Sequence, residues 1–203
     1  MARIRGVFLV ACAVACLARA AFPPPINQRV AELLANMTVE EKIAQLWYGG
    51  APTQNATDLL ALMPHGIGTL ELSSLAHRNE IQAVFMKSTR LGVPVSFYGE
   101  TLHSAGVSNV TIFPTPSLVG CSWNTSLSEA IGRTIAVEAW ANGIDRSFSP
   151  VLQVTTDPRW GRVAENFGED ALLVARMGAA ATIGLLVRRG VGVSPNHGTT
   201  SPS

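Results

Sequence analysis

The feature that most constrains the fold is a regular alternation of strand-length apolar runs with helical patterns. The apolar runs cover residues 66–72, 93–98 and 144–149, with residues 151–154 as an extension of the third. Between and after them, apolar residues recur at the three- and four-residue spacing of an amphipathic helix. Strands that alternate with helices predict a parallel sheet that is covered by helices.

The helical patterns have clear boundaries. Two short helices are predicted within residues 27–46, and the second begins with a capping box formed by Thr38 and Glu41. Three further helices are predicted through residue 91, over residues 126–142 and from about residue 170 to 188.

Chain length limits how much of this architecture can be present. A closed eight-stranded α/β barrel takes about 250 residues, whereas about 180 of the 203 residues remain after the leader described next. We therefore expect an α/β chain that contains the first three to four β/α units of a TIM-type (β/α)8 barrel.

The N-terminus has the composition of a secretory signal peptide. Arg3 and Arg5 precede an apolar stretch that is too short to span a bilayer, and an A-x-A cleavage site follows it. We predict a secreted protein with no membrane segment after cleavage. The predicted divisions are a signal peptide (1–20), a proline-rich segment (21–26), a barrel domain (27–190) and a divergent, disordered tail (191–203).

The predicted secretory route has consequences for the sequons and the cysteines of the chain. Four N-x-S/T sequons agree with it, although any one of them could be an unmodified surface asparagine. They lie at Asn36, Asn55, Asn109 and Asn124. Because Cys12 and Cys16 leave with the leader, Cys121 stands alone and no internal disulfide is expected. We expect Cys121 to be a buried small hydrophobe rather than a nucleophile.

Charge and composition exclude some partners. The chain carries 15 Lys and Arg against 14 Asp and Glu, a net charge of +1. This balance implies no strongly basic face, so we do not expect nucleic acid as a partner. We expect no cofactor and no metal.

Polar and aromatic side chains are concentrated after the predicted strands, where parallel α/β proteins bind ligands. A sugar offers hydroxyl pairs and an apolar ring face, which suit carboxylates, planar bidentate donors and indoles. These residue types are supplied by Glu100, Arg159, Trp160 and Arg162. The alternative is that the arginines pair with acidic neighbours and the indole packs in the core.

Three ordered blocks carry a resemblance to a known family: GVPVSFYGETLHS, TIFPTPSLVGCSWN and GIDRSFSPVLQVTTDPRWGRVAENFGED. With MTVEEKIAQL and GIGTLEL before them, they resemble the family 3 glycoside hydrolases, the exo-acting β-glucosidases and β-xylosidases. The resemblance covers about residues 30–186. It implies retaining hydrolysis of terminal non-reducing β-D-glucosyl or β-D-xylosyl residues, with a β-linked oligosaccharide or glycoside as the partner.

The resemblance also implies roles by position. Glu100 stands where the family has an acidic residue that accepts hydrogen bonds from the sugar hydroxyls, and Arg162 matches the family's sugar-binding arginine. Asp157 and Arg159 match positions that hold the loop in shape, although Arg159 stays a candidate substrate contact. Trp160 either lines the site or buttresses it.

Other positions match less well or suggest structural roles. His103 matches a histidine for which we expect a structural role over substrate contact, and Ser104 stands where glycine is usual. The family's lysine-histidine pair has no clear counterpart, because Asn196 and Gly198 surround His197 where a lysine and an aromatic residue are expected. His197 therefore stays only a possible substrate contact.

The catalytic pair of the family has no counterpart in the sequence. Retaining glycosidases need a nucleophile and an acid/base carboxyl group about 5 Å apart. The family nucleophile is an aspartate in an SDW or SDY segment, which this chain lacks, and its acid/base residue comes later still. We expect the N-terminal part of an enzyme, inactive alone. The alternatives are a non-catalytic carbohydrate-binding or interaction protein and a cytosolic hexosaminidase, against which the leader and sequons count.

Overall fold

The computed structural model describes residues 26–50 and 52–186 and the backbone of Gly192–Val193. The helices are α1 (Ile26–Asn36), α2 (Val39–Leu46), α3 (Ala56–Leu62), α4 (Leu75–Ser88), α5 (Pro116–Gly120), α6 (Thr125–Ala141) and α7 (Ala171–Leu185), with a 3-10 turn at Val163–Glu165. The strands are β1 (Tyr48–Gly49), β2 (Thr69–Glu71), β3 (Ser96–Gly99), β4 (Arg146–Ser147) and β5 (Gly192–Val193).

The strands form one parallel sheet whose spatial order is the order of the chain, β1-β2-β3-β4-β5. In this register Leu70 lies opposite Phe97, and Tyr98 lies opposite Arg146. Consecutive parallel strands joined by helices are the repeating units of a TIM-type barrel. Four units, β1–α3, β2–α4, β3–α6 and β4–α7, precede β5, so the prediction of a partial barrel is confirmed.

The chain divides into two units, residues 1–42 and 43–203. In the first, the predicted capping box is confirmed. The Glu41 backbone N–H donates to Thr38 Oγ1 at 3.2 Å, and the Thr38 N–H donates to the Glu41 carboxylate at 2.9 Å. These bonds satisfy two of the four N–H groups that a helix leaves unpaired at its start.

In the second unit, the core lies between the sheet and the helices. One cluster joins Leu70 and Phe97 of the sheet to Ile81 and Phe85 of α4. Another cluster joins Phe167 to α5 and α7. Successive side chains along a strand alternate between the two faces of a sheet. The side chains directly before and after Leu70 and Phe97 in the sequence therefore lie on the face away from this core.

Helices α6 and α7 pack closely because each has a glycine at the contact. A Cβ atom at Gly184 would overlap the Glu129 carbonyl oxygen, and one at Gly132 would lie 2.6 Å from the Ala181 carbonyl oxygen. Asp170 caps α7, since its Oδ1 accepts a 2.7 Å hydrogen bond from the Leu173 N–H.

Several elements differ from the sequence predictions. Two elements were not predicted. Strand β1 follows the second predicted helix, and helix α3, which is capped by Asn55, comes next. Residues 151–154 do not extend a strand, since only Val151 forms an isolated bridge. The three predicted strands are present but shorter, because the register pairs only two to four residues of each.

The prediction for Cys121 was wrong. It is exposed, because it occupies the C-cap of the short helix α5. Helix α5 was not predicted from the sequence. It has only five residues and begins with a proline, so it contains too little periodicity to detect.

Predictions for the two ends of the chain largely lie outside the described residues. These are the signal peptide, residues 21–25 of the proline-rich segment, and the tail apart from the backbone of β5. None of the described helices is both long and apolar enough to cross a bilayer. No group of three or more His, Cys, Asp or Glu in the described part could hold a metal ion.

Candidate functional site

The loops that follow β3 and β4 leave the sheet at the same end. Glu100 directly follows β3, and residues 155–168 form the loop that separates β4 from α7. Because β3 and β4 are neighbouring parallel strands, both loops lie at the carboxyl end of the sheet, where this architecture binds ligands.

The loop of residues 155–168 is closed at its base by Asn166. Its Oδ1 accepts hydrogen bonds from the Thr155 hydroxyl at 2.6 Å and from the Gly168 N–H at 3.0 Å. The Thr155 N–H donates to the Gly168 carbonyl at 3.0 Å. Asn166 is fully buried, so the loop is fixed from inside the protein.

Within this loop, Asp157 and Arg159 form an ion pair. Arg159 Nη2 donates to Asp157 Oδ2 at 2.6 Å, and its Nε lies 3.0 Å from Oδ1. The Arg159 backbone N–H also donates to Oδ1 at 2.9 Å. The hydrogen bonds from Arg159 lower the pKa of Asp157. The pair therefore braces the turn that presents Trp160, which is half-buried.

Arg162 is held by Glu165 across the 3-10 turn. Its Nε and Nη2 donate to Glu165 Oε2 at 2.9 and 2.6 Å. This pairing raises the pKa of Arg162, and the Glu100 carboxylate adds a smaller effect in the same direction. Both residues lie in loops at the carboxyl end of the sheet, and their roles as substrate contacts stay predictions.

The two groups keep donors and acceptors for a ligand. Glu100 is exposed, and its carboxylate accepts no hydrogen bond from another described residue. The Arg162 side chain is 37% exposed, and its Nη1 donates to no group in the described part of the chain. The alternative in which the arginines pair with acidic neighbours is confirmed for Arg159 and Arg162, whereas their contact with a substrate stays a prediction.

His103, for which the sequence predicts a structural role, has one buried ring nitrogen. Its carbonyl accepts a 2.8 Å hydrogen bond from the Phe113 N–H. Its Nδ1 is inaccessible and has no hydrogen-bond partner among the described residues, so this nitrogen cannot reach a ligand. His197 lies outside the described residues.

Buried hydroxyls beneath Glu100 were missed by sequence reasoning. The Thr101 and Ser147 hydroxyls are hydrogen-bonded to each other, and the Ser149 hydroxyl donates to the Glu100 carbonyl at 2.5 Å. Thr101 also has a positive φ of 42°. The only sequence signal was a run of small hydroxyl residues at two strand ends.

An aromatic cluster on the face of the sheet away from the helices was also missed. The Tyr98 ring stacks on Tyr48 and Phe148, with centroids 4.6 and 4.5 Å away. The Tyr98 hydroxyl donates to Glu71 at 3.2 Å. Burial, with Tyr48 and Glu71, raises the pKa of Tyr98 far above its ordinary value, so its phenol stays a neutral donor.

Comparison with known proteins decides the family. Residues 38–197 match the model of the glycosyl hydrolase family 3 N-terminal domain. The chain belongs to glycoside hydrolase family 3. The resemblance read from the sequence is therefore confirmed, and so is the relation to β-glucosidases and β-xylosidases.

Relatives of this family 3 chain carry both activities in their names. It is 32% identical over 152 residues to a periplasmic β-glucosidase of Salmonella typhimurium, covering 73% of this chain and 19% of the relative. It is 33% identical over 166 residues to a β-xylosidase of Formosa agariphila, and this match covers 79% of this chain and 18% of the relative. The chain therefore spans about a fifth of the length of these curated relatives.

Solved structures agree with the family 3 fold. The β-glucosidase of Listeria innocua in complex with glucose superposes with a TM-score of 0.67 at 33% identity. The match covers 77% of this chain and 23% of the Listeria chain. The four sequon asparagines of the family 3 chain are all exposed, and their glycosylation stays a prediction.

Proposed function

We propose that this chain is the sugar-recognising N-terminal part of a secreted, exo-acting glycosidase. The intact enzyme hydrolyses terminal non-reducing β-D-glucosyl or β-D-xylosyl residues with retention. The observation that carries the proposal is that the exposed Glu100 and the half-exposed Arg162 both lie in loops at the carboxyl end of the sheet. The β-glucosidase and β-xylosidase relatives support it, as does the glucose complex of the Listeria protein.

The two side chains have complementary hydrogen-bonding capacity. A carboxylate accepts from adjacent hydroxyls of a pyranose, and a guanidinium donates to hydroxyl oxygens in a fixed plane. Because Glu165 holds Arg162 in place, little freedom is lost when a sugar binds. These residues bind and orient the terminal sugar, and orientation is itself a large part of catalysis.

Three carboxylates around this site are engaged in structural roles. Glu165 holds Arg162, Asp157 braces the turn, and Asp170 caps α7. None of them is placed as the free pair that retention requires. We therefore propose that the 203-residue chain binds a sugar without hydrolysing a glycoside.

Calorimetric titration of the chain with glucose and xylose tests the proposal. We expect saturable binding of one sugar, weakened by about tenfold or more in Glu100→Gln and Arg162→Met because each loses a charge-assisted hydrogen bond. The matched control is Arg133→Met, which removes an arginine paired with Glu129 at the same 2.6 Å on the surface of α6. Its affinity should equal that of the wild type.

Turnover of a chromogenic β-glucoside and β-xyloside is the second measurement. We expect none above the uncatalysed rate. Turnover that is unaffected by Glu100→Gln and Arg162→Met would contradict both the proposed site and the proposal that the chain binds a sugar without hydrolysing a glycoside.

A further inference from the structure

Thr101 has a backbone conformation that is unusual for its residue type. Its φ of 42° lies in the left-handed region, which β-branched side chains rarely adopt. The residue is also 99% buried, with 1% of its surface exposed. Such a conformation persists only where surrounding contacts determine it, and it is concentrated at functional sites.

The contacts that hold Thr101 form a closed ring of hydrogen bonds. The Thr101 hydroxyl bonds to the Ser147 hydroxyl. The Ser147 Oγ also lies 3.3 Å from the Ser149 carbonyl and accepts from the Ser149 N–H at 3.0 Å. The Ser149 hydroxyl donates to the Glu100 carbonyl at 2.5 Å, which returns the ring to the residue before Thr101.

One arrangement of protons satisfies every member of this ring. If Ser147 donates to the Ser149 carbonyl, Thr101 must donate to Ser147, and Ser149 donates to Glu100. Each hydroxyl then gives one hydrogen bond, as buried hydroxyls require. Ser147 and Ser149 are buried, with 0% and 3% of their surfaces exposed, so water cannot replace these partners.

Hydrogen bonds hold the peptide units on both sides of Glu100, and the ring holds the one that follows it. Before it, the Gly99 carbonyl accepts a 3.3 Å hydrogen bond from the Phe148 N–H. After it, Thr101 is held in its left-handed conformation. The Glu100 carboxylate has no hydrogen-bond partner among the described residues, so the hydrogen bonds that hold this residue act on its backbone at the strand end.

We propose that Thr101, Ser147 and Ser149 are positioning residues for Glu100. Their ring of hydroxyls holds the backbone from which the Glu100 side chain leaves the strand end before a sugar binds. The inference rests on the proposed function of Glu100. It adds that recognition depends on neutral, buried hydroxyls that touch no sugar.

The test uses the 203-residue chain and two substitutions at Thr101. Thr101→Val keeps the shape but removes the hydroxyl, whereas Thr101→Ser keeps the hydroxyl. In glucose and xylose titrations we expect Thr101→Val to weaken binding by about tenfold, as when one charge-assisted hydrogen bond is misaligned. Thr101→Ser should restore wild-type affinity.

A matched control separates positioning from stability. Thr182 on α7 donates its hydroxyl to the Gly178 carbonyl at 2.8 Å, away from the strand-end loops. Thr182→Val therefore removes a hydroxyl of the same type and should leave affinity unchanged. Affinities are compared at a temperature where NMR spectra show that every variant is folded.

A measurement on the wild type alone keeps the inference testable if variants do not fold. The three-bond coupling between the amide and Hα protons of Thr101, with its carbon shifts, reports φ directly. We expect the left-handed values. Extended or right-handed helical values would overturn the inference.

The outcomes distinguish the inference from the function on which it rests. Wild-type affinity in folded Thr101→Val, together with lost binding in Glu100→Gln, overturns the inference and leaves the proposed function intact. No saturable binding by the wild-type chain overturns the proposed function and the inference with it.

Discussion

Arg162 donates two hydrogen bonds, of 2.9 and 2.6 Å, to the same oxygen of Glu165, three residues later in the chain. Arg162 directly precedes the 3-10 turn at Val163–Glu165, and Glu165 is the last residue of that turn. The pair therefore links the orientation of the guanidinium to the conformation of a short, otherwise weakly held turn.

Removing the charge of Glu165 should release Arg162. We expect Glu165→Gln to weaken sugar binding about three- to tenfold, because an amide oxygen holds a guanidinium less firmly than a carboxylate does. The control is Glu129→Gln, whose partner Arg133 forms a 2.6 Å pair on α6. Equal losses of affinity in the two variants, measured by calorimetry, would mean that the Arg162–Glu165 pair has no specific role.

Asn166 should contribute strongly to stability as well as to the loop. Asn166→Ala leaves the Thr155 hydroxyl and the Gly168 N–H without their acceptor. An unsatisfied buried group costs about 1–3 kcal/mol, so we expect the free energy of unfolding in urea to fall by about 2–4 kcal/mol. Thr155→Val removes one of the two bonds and should have the smaller effect. A change below about 0.5 kcal/mol for Asn166→Ala would refute the role of the side chain.

The close packing of α6 on α7 can be tested at Gly184 of α7. The Cβ of Gly184→Ala would overlap the Glu129 carbonyl, so we expect a loss of about 1–3 kcal/mol in the free energy of unfolding. Gly161→Ala is the matched control, because a Cβ there would meet nothing within 4 Å. Denaturant unfolding that shows equal stability for the two variants would exclude this helix contact.

The Asp157–Arg159 pair makes a prediction about pH. The hydrogen bonds from Arg159 lower the pKa of Asp157 below its ordinary value of 3.8. The pair therefore stabilises the loop above that pH, and this contribution is lost as the pH falls through the lowered pKa. Titration of the carboxyl carbon by NMR should show a midpoint below 3.8 that rises in Arg159→Gln. A wild-type midpoint at or above 3.8 would contradict the pairing in solution.

The strand–helix alternation and the helix caps could be predicted from the sequence because their signals are local. Thr38 and Glu41 are three positions apart, and Asp170 stands directly before α7. In contrast, β1 has two residues and is a strand only because β2 pairs with it. No window of sequence contains that information.

The candidate site could be outlined from the sequence only in part. Glu100 and Arg162 became candidates because the sequence blocks around them resemble a family and because strand ends converge, and their sugar-binding role stays a prediction. The hydroxyl ring could not be, since Thr101 and Ser147 are 46 positions apart and meet only when β3 pairs with β4. Exposure of Cys121 likewise depended on a short helix without a periodic pattern.

The central claim is that Glu100 and Arg162 bind one sugar. It is tested most directly by amide NMR spectra of the chain recorded during titration with glucose and then xylose. We expect saturable shifts confined to residues around Glu100–Thr101 and the loop of residues 155–168, and their loss in Glu100→Gln. No saturable shift with either sugar, or shifts that map to helix surfaces and persist in Glu100→Gln, would contradict the claim.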